Sequence, residues 1–400
     1  MKKTVLNLIP EHIKVLVGYV AGKHARQAQR ESGVAMIKMA SNENPFGPSP
    51  LAIEAIRAAV CEVNLYPDND ATDLRLALAS RHQLEPEQVF IADGSLGILD
   101  IVARTLLVPG TNCISSERSF ISYPLVTRTI GAEFIQAPMR QDTYDLDAIA
   151  AGINDQTRVV ILANPNNPTG TMFNADATDA FLRRVPDHVL VVLDEAYSDF
   201  AEYFAAQRGI TYSRSFEYVR ALRPNVLVLR TFSKAHGLAG VRLGYGCGHP
   251  ELLRYFARVR NAFSISGIAE AAGLAAIQDE THIRKTVENN ATGAVWLMER
   301  FTELEIRAIP TSANFIYFTV DEDANSFSKR MQAEGVIVRS LVPWGIPNAI
   351  RVSIGTPQQN EMFVQALKKV VSQPVTPRPA SLLRKPTPLK HRERTKWRIC

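Results

Sequence analysis

Four cysteines in 400 residues, Cys61, Cys113, Cys247 and Cys400, are too few and too scattered for a disulfide framework, and none are paired at metal-ligand spacing. Reduced thiols are the default. The chain also lacks the run of roughly 18 uninterrupted apolar residues that a membrane helix requires. Its amino terminus, MKKTVLNLIPEHIKVLVGY, opens like a secretory leader with two lysines, but Glu11, His12 and Lys14 break the apolar run and no small-residue cleavage site follows. These absences point to a soluble, cytoplasmic chain. An excess of one charge is missing from the body as well. The net charge of +5 arises from residues 374–400, where eight lysines and arginines meet Glu393 alone, so the preceding residues are slightly acidic. That tail carries five prolines and no periodic apolar pattern. It reads as a solvated, disordered extension, and a nucleic-acid partner is the weaker reading.

What is present is a globular composition, 46% hydrophobic, in a chain long enough for two or three domains. Between about residues 72 and 260, amphipathic helices alternate with short apolar strands, at Val89–Ala92, Val159–Leu162, Val189–Leu193 and Val226–Leu229. This alternation predicts an α/β fold with a mostly parallel sheet covered on both faces. A long helix is predicted near Thr281–Leu304. Strands at Ala313–Thr319, Val336–Val338 and Ala349–Ser353, with helices near Ser326–Glu334 and Pro357–Val371, then predict a smaller α/β layer, to which a helix over Leu51–Val63 contributes.

One run stands out, Arg230-Thr-Phe-Ser-Lys-Ala-His-Gly-Leu-Ala-Gly-Val-Arg242-Leu-Gly-Tyr245. A lone lysine after a serine is usually a solvated surface residue. Here Lys234 stands among hydroxyls, glycines and an arginine, the surroundings that a phosphate-bearing aldehyde cofactor needs: an amine to form a Schiff base and a grip for the phosphate in Thr231, Ser233 and Arg242. Forty residues earlier, Asp194 ends an apolar strand, the sheet edge where ligands bind, although a strand-end aspartate also often caps a helix. Ionised, it suits a pyridine nitrogen. Tyr197 is either a hydrogen-bond donor to the ring's phenolate oxygen or core packing. Ala163-Asn-Pro-Asn-Asn-Pro-Thr-Gly170 carries two prolines that stiffen a turn presenting Asn167. Val89-Phe-Ile-Ala-Asp-Gly-Ser-Leu-Gly97 runs from a strand through Gly94 into a helix whose first amides seat a phosphate. Phe120 is either stacked on a ring or a helical core aromatic.

Together these strings resemble the fold-type I aminotransferases that use pyridoxal 5′-phosphate, and within them the chain looks like the histidinol-phosphate aminotransferases. The resemblance runs from about Tyr19 to Val371 and also rests on Ser41-Asn-Glu-Asn-Pro-Phe-Gly-Pro48, Tyr66-Pro-Asp68, Ser312-Ala-Asn-Phe315 and Ile350-Arg-Val-Ser-Ile-Gly-Thr356. It implies Lys234 as the imine lysine, with Asp194 at the pyridine nitrogen and Asn167 and Tyr197 at the phenolate oxygen. Phe120 is implied against the ring. For the phosphate it implies Gly94, Ser95, Leu96, Thr231, Ser233 and Arg242, with Tyr66 reaching the phosphate of a partner subunit in a homodimer. On the substrate side it implies Arg351 at the α-carboxylate, with Tyr19, Asn44 and Arg339 nearby; a bidentate arginine fork suits such an anion. An aromatic or broad amino-acid aminotransferase, or a threonine-phosphate decarboxylase, would share much of this set. The implied organisation is an arm that gates the substrate (1–40), a segment joining the smaller domain and the dimer contact (41–70), a large cofactor domain (71–280), a small domain (281–373) and the basic tail (374–400). One departure is Leu96-Gly97, where the family carries an acidic pair.

Overall fold

The computed structural model describes residues 4–18, 29–30 and 35–373. Tyr19 and the basic tail therefore lie outside the described residues. Seven strands lie side by side in the order Val89–Ala92, Gly244–Gly248, Val226–Thr231, Leu190–Asp194, Thr157–Ala163, Asn112–Ser116 and Glu133–Ala137. Gly244–Gly248 runs antiparallel to both neighbours; every other pairing is parallel. Leu190–Asp194 is buried along its whole length, because helices cover both faces and leave no side for water. Its uninterrupted aliphatic run, without polar alternation, follows from that burial.

Three strands of this sheet carried no aliphatic signature. Asn112–Ser116 is polar in sequence yet fully buried, because its hydroxyls are spent locally: Ser115 Oγ donates to the Ile161 carbonyl at 2.7 Å and Ser116 Oγ to that of Ala137 at 3.4 Å. Glu133–Ala137 lies at the sheet edge with Glu133 exposed. Gly244–Gly248 is built from three glycines, and a Cβ added at Gly244 would lie 2.7 Å from the Ser95 amide nitrogen. A side chain there would push away the start of the helix Ser95–Leu106.

A second, antiparallel sheet orders its strands Ala308–Ile309, Phe315–Thr319, Ala349–Ser353 and Arg339–Ser340. Helices Ala324–Ala333, Pro357–Ser372 and the 24-residue Glu280–Glu303 pack into the core that it shares. Asp279 caps the long helix by accepting from His282 N–H, and Thr356 with Gln359 forms a capping box on Pro357–Ser372. Ile37–Lys38 pairs in parallel with Val336–Ile337, so the chain enters beside this layer. The helix expected within Leu51–Val63 forms over Pro50–Ala59 but joins the other core: it packs on Gly267–Ala276, and Ala52 is buried with the main sheet's residues. Its apolar face of small residues matches the alanine-rich face of that helix, which explains the correction.

Candidate active site

The parallel strands end at one edge of the seven-stranded sheet, and the loops leaving Ala92, Ala163, Asp194 and Thr231 converge there on a cavity of about 220 Å³. The second sheet closes its other side with Arg339 and Arg351.

At one end the groups are cationic or donors. Gly94, at φ +95, caps the helix Ser95–Leu106, and Ser95 and Leu96, as its first residues, have no intrahelical acceptor for their N–H groups. Arg242 lies against this turn, since a Cβ at Gly94 would stand 2.8 Å from its Nη2. Its Nη1 donates to Ser233 Oγ at 3.4 Å, and the Ser233 N–H donates to Thr231 Oγ1 at 3.1 Å. Helix amides, two hydroxyls and a guanidinium around one space make a seat for a phosphate. Beside Gly97 the exposed Asp93 carboxylate occupies the space a side chain would take, its Oδ1 1.9 Å from the place of a Cβ.

At the other end lies Asp194, buried, with Oδ2 accepting from the Tyr123 hydroxyl at 2.7 Å and Oδ1 from the Ala196 N–H at 3.2 Å. Burial pushes its carboxyl up to about 6, against the pull of those two donors. The Lys234 amine adds a smaller downward pull and the Glu195 carboxylate a smaller upward push. A buried carboxylate so held suits a cationic ring nitrogen. Lys234 Nζ, between the two ends, donates to the Ser41 carbonyl at 3.4 Å and lies 5.7 Å from the Tyr197 ring. Burial first, then the Arg351 guanidinium, lowers its amine to about 8. Phosphate seat, amine and carboxylate thus occur in one cavity, and the residues present fit pyridoxal phosphate.

Tyr197 OH accepts from Asn167 Nδ2 at 3.4 Å and from Asn42 Nδ2 at 2.9 Å. The prolines flanking Asn167 both follow cis peptide bonds, at Asn164-Pro165 and Asn167-Pro168. Arg351 donates to Asn167 Oδ1 and, at 2.9 Å, to the Ala40 carbonyl. Arg339 faces it directly in the strand register and lies over the Trp344 ring at 5.2 Å. Phe120 lines the cavity from the turn ahead of helix Ser122–Thr129, edge-on to Tyr123, so it is not a helical core residue.

Two expected residues lie elsewhere. Asn44 points away from the cavity: its Nδ2 donates to the Ala235 carbonyl at 2.8 Å and to Thr286 Oγ1 at 3.1 Å, bracing the loop behind Lys234. Asn42, two residues earlier, takes the place in the cavity. Tyr66 is 84% exposed and its ring lies tilted against that of Phe263, outside its own chain's cavity. Reading from sequence also missed Tyr123, whose signal was its position three residues after Phe120.

The profile of the family described as "Aminotransferase class I and II" matches residues 34–367. Among curated relatives, the histidinol-phosphate aminotransferase of Moorella thermoacetica is 42% identical, over 90% of this chain and 92% of that protein. Histidinol-phosphate aminotransferase 2 of Pseudomonas aeruginosa is 43% identical over 92% and 98%. The crystal structure of the Sinorhizobium meliloti histidinol-phosphate aminotransferase, in complex with pyridoxal-5′-phosphate, superposes with a TM-score of 0.80 at 27% identity, covering 90% of this chain and 97% of that one. With the profile spanning most of its length and relatives aligned almost end to end, the chain belongs to the class I and II aminotransferase family.

Proposed function

We propose that this chain is a pyridoxal-phosphate-dependent transaminase that moves the amino group between glutamate and imidazole-acetol phosphate, giving 2-oxoglutarate and L-histidinol phosphate. The observation that carries the reading is the Arg339–Arg351 pair. The two face each other in the strand register, line the cavity from the second sheet and are buried residues, 9% and 6% exposed, so an anion entering the cavity meets both. Two arginines suit a cavity that must hold a carboxylate from one substrate and a phosphate from the other, and the relatives of 42% and 43% identity carry this activity in their names.

The bound cofactor supplies a ring that withdraws electrons from the substrate carbon. Lys234 would hold the cofactor through its aldehyde and would move the proton at the substrate carbon; its lowered amine makes it a base near neutral pH. Asp194 would keep the ring nitrogen protonated. Tyr197 and Asn167 would serve the phenolate oxygen, with Phe120 against the ring. Gly94, Ser95 and Leu96 with Thr231, Ser233 and Arg242 would hold the phosphate. Tyr66 reaches the phosphate of a second copy, so the working form is a homodimer; its exposed ring lies beside exposed Leu65 and Val63, an apolar surface suited to a subunit contact. The arm (1–40) gates the substrate, the segment 41–70 carries the dimer contact, and residues 71–280 and 281–373 form the large and small domains. We infer a cytoplasmic enzyme; no described helix is long and apolar enough to cross a membrane.

A coupled assay with 2-oxoglutarate and a panel of amino donors tests the reading. Histidinol phosphate is expected to exceed aromatic amino acids in kcat/KM, and a preference for phenylalanine or release of carbon dioxide would sink it. In the same assay Arg351→Ala is expected to raise the KM for 2-oxoglutarate ten- to a hundredfold, on the order of one charge-assisted hydrogen bond. An unchanged KM would remove Arg351 from the substrate.

The lowered lysine also sets a pH dependence. Only the neutral amine attacks an aldehyde, and the Lys234 amine is neutral above about 8 instead of above 10.5. The rate at which apoprotein regains visible absorbance on adding pyridoxal phosphate should climb with pH and level off with a midpoint near 8. A midpoint above 10 would show an ordinary, solvated lysine.

A further inference from the structure

We propose that Asn42 is a positioning residue that turns the Tyr197 hydroxyl proton toward the cofactor, acting through Tyr197 and tying its phenol oxygen to the four-stranded sheet. This rests on the reading of Tyr197 as the donor to the cofactor's ring oxygen.

The argument begins with backbone. Asn42 is 1% exposed and sits at φ +57, a left-handed conformation that asparagine tolerates better than any other residue except glycine. Three contacts hold it there. Its N–H donates to Ser353 Oγ at 2.8 Å, its Oδ1 accepts from the same hydroxyl at 3.3 Å, and its carbonyl accepts from Asn314 Nδ2 at 3.0 Å. Ser353 ends one strand of the four-stranded sheet and Asn314 precedes another. With Oδ1 occupied by Ser353, the amide is oriented and Nδ2 faces Tyr197 at 2.9 Å. Asn167 is oriented in the same way, because Arg351 occupies its Oδ1 and leaves Nδ2 toward Tyr197 at 3.4 Å.

Two amide N–H groups therefore converge on one phenol oxygen. Both use that oxygen as an acceptor, which turns the hydroxyl's own proton away from them. Each amide also polarises the O–H, which strengthens the bond it gives. Both asparagines line the cavity; Asn167 is bound to Arg351 and can serve the ring directly, whereas the described contacts of the Asn42 amide go to Tyr197 and Ser353. Glycine at this position would keep the left-handed turn and delete the amide. Aspartate would keep the shape and set an acceptor against the phenol, so that the Tyr197 proton turns to it.

The test is a double-mutant cycle on the holoenzyme with Asn42→Gly, Tyr197→Phe and both together, following the pH midpoint of the bound cofactor's visible absorbance as well as kcat/KM. A weaker donor at the ring oxygen favours its protonated form. Asn42→Gly is thus expected to raise the midpoint by about half a unit to one unit and to lower kcat/KM roughly tenfold, the scale of one hydrogen bond. On the Tyr197→Phe background the same substitution should move neither quantity further. An unchanged midpoint in Asn42→Gly, or full additivity with Tyr197→Phe, overturns the proposal even if the melting temperature falls, since that alone marks a structural role. If Tyr197→Phe itself leaves the midpoint in place, the assignment of Tyr197 fails first and this inference with it. Should the glycine variant not fold, Asn42→Asp carries the same comparison: its midpoint must rise, and must not rise on the phenylalanine background.

Discussion

Replacing Lys234 by alanine is expected to lower transamination by at least about ten-thousand-fold, because it deletes both the nucleophile for the cofactor and the base for the substrate carbon. The protein should still fold. The described side chain makes one hydrogen bond, to the Ser41 carbonyl at 3.4 Å, and its amine is lowered to about 8 by burial, so its charge gains little from the fold. The phosphate seat around Ser95, Ser233 and Arg242 does not involve Lys234 and should retain pyridoxal phosphate noncovalently. Turnover, the cofactor's visible band and thermal unfolding measured on one preparation separate these claims. Wild-type turnover would remove Lys234 from the chemistry, and an unfolded variant would show that the loop needs its side chain for packing.

Asp194→Asn is expected to lower kcat/KM by roughly a hundred- to a thousandfold while leaving stability equal or higher. The sign follows from linkage. The folded-state carboxyl is raised from 3.8 to about 6, so the group favours folding below the lower value, and that contribution is lost as pH rises through the upper one. At pH 7 the buried charge therefore costs on the order of 3 kcal/mol in the cofactor-free chain. Asparagine removes the charge and retains an oxygen for the Ala196 N–H, while the Tyr123 hydroxyl can turn and accept from its amide. Activity should fall and the apoprotein's melting temperature should hold or rise, whereas Asp194→Glu should recover part of the activity. Parallel loss of stability and activity in the asparagine variant would mark Asp194 as a structural group. A residue that weakens the fold until a cation arrives is the opposite of a helix cap, the other role open to it.

The local parts of the site were legible in sequence. Lys234, Thr231, Ser233 and Arg242 lie within twelve residues, and a strand end followed by a glycine turn announces Gly94 and Ser95 without tertiary information. Aliphatic strands such as Leu190–Asp194 were equally plain. Asn112–Ser116 and Gly244–Gly248 were not, since the first hides polar side chains in local hydrogen bonds and the second needs glycine to clear the Ser95 amide. The choice between Asn42 and Asn44 was also out of reach. Both occur in one string, and only the Ser353 and Ala235 contacts, far along the chain, decide which amide faces the cavity. Register explains the arginines in the same way: nothing near Arg339 says that Arg351 will lie opposite.

The segment 41–48 has a consequence for modularity. A Cβ on Gly237 would stand 2.1 Å from the Gly47 carbonyl, Asn44 braces Ala235, and Ser41 receives the Lys234 amine. A fragment beginning at residue 71 would keep the lysine, the aspartate and every residue of the proposed phosphate seat, yet lose the wall against which the amine is set. The large sheet is a scaffold that could be transplanted; the reactive centre is not. It exists only once residues 41–48 have met the loop 234–237, and insertions or circular permutations that delay their meeting act on the chemistry directly, even when every residue of the cavity is untouched.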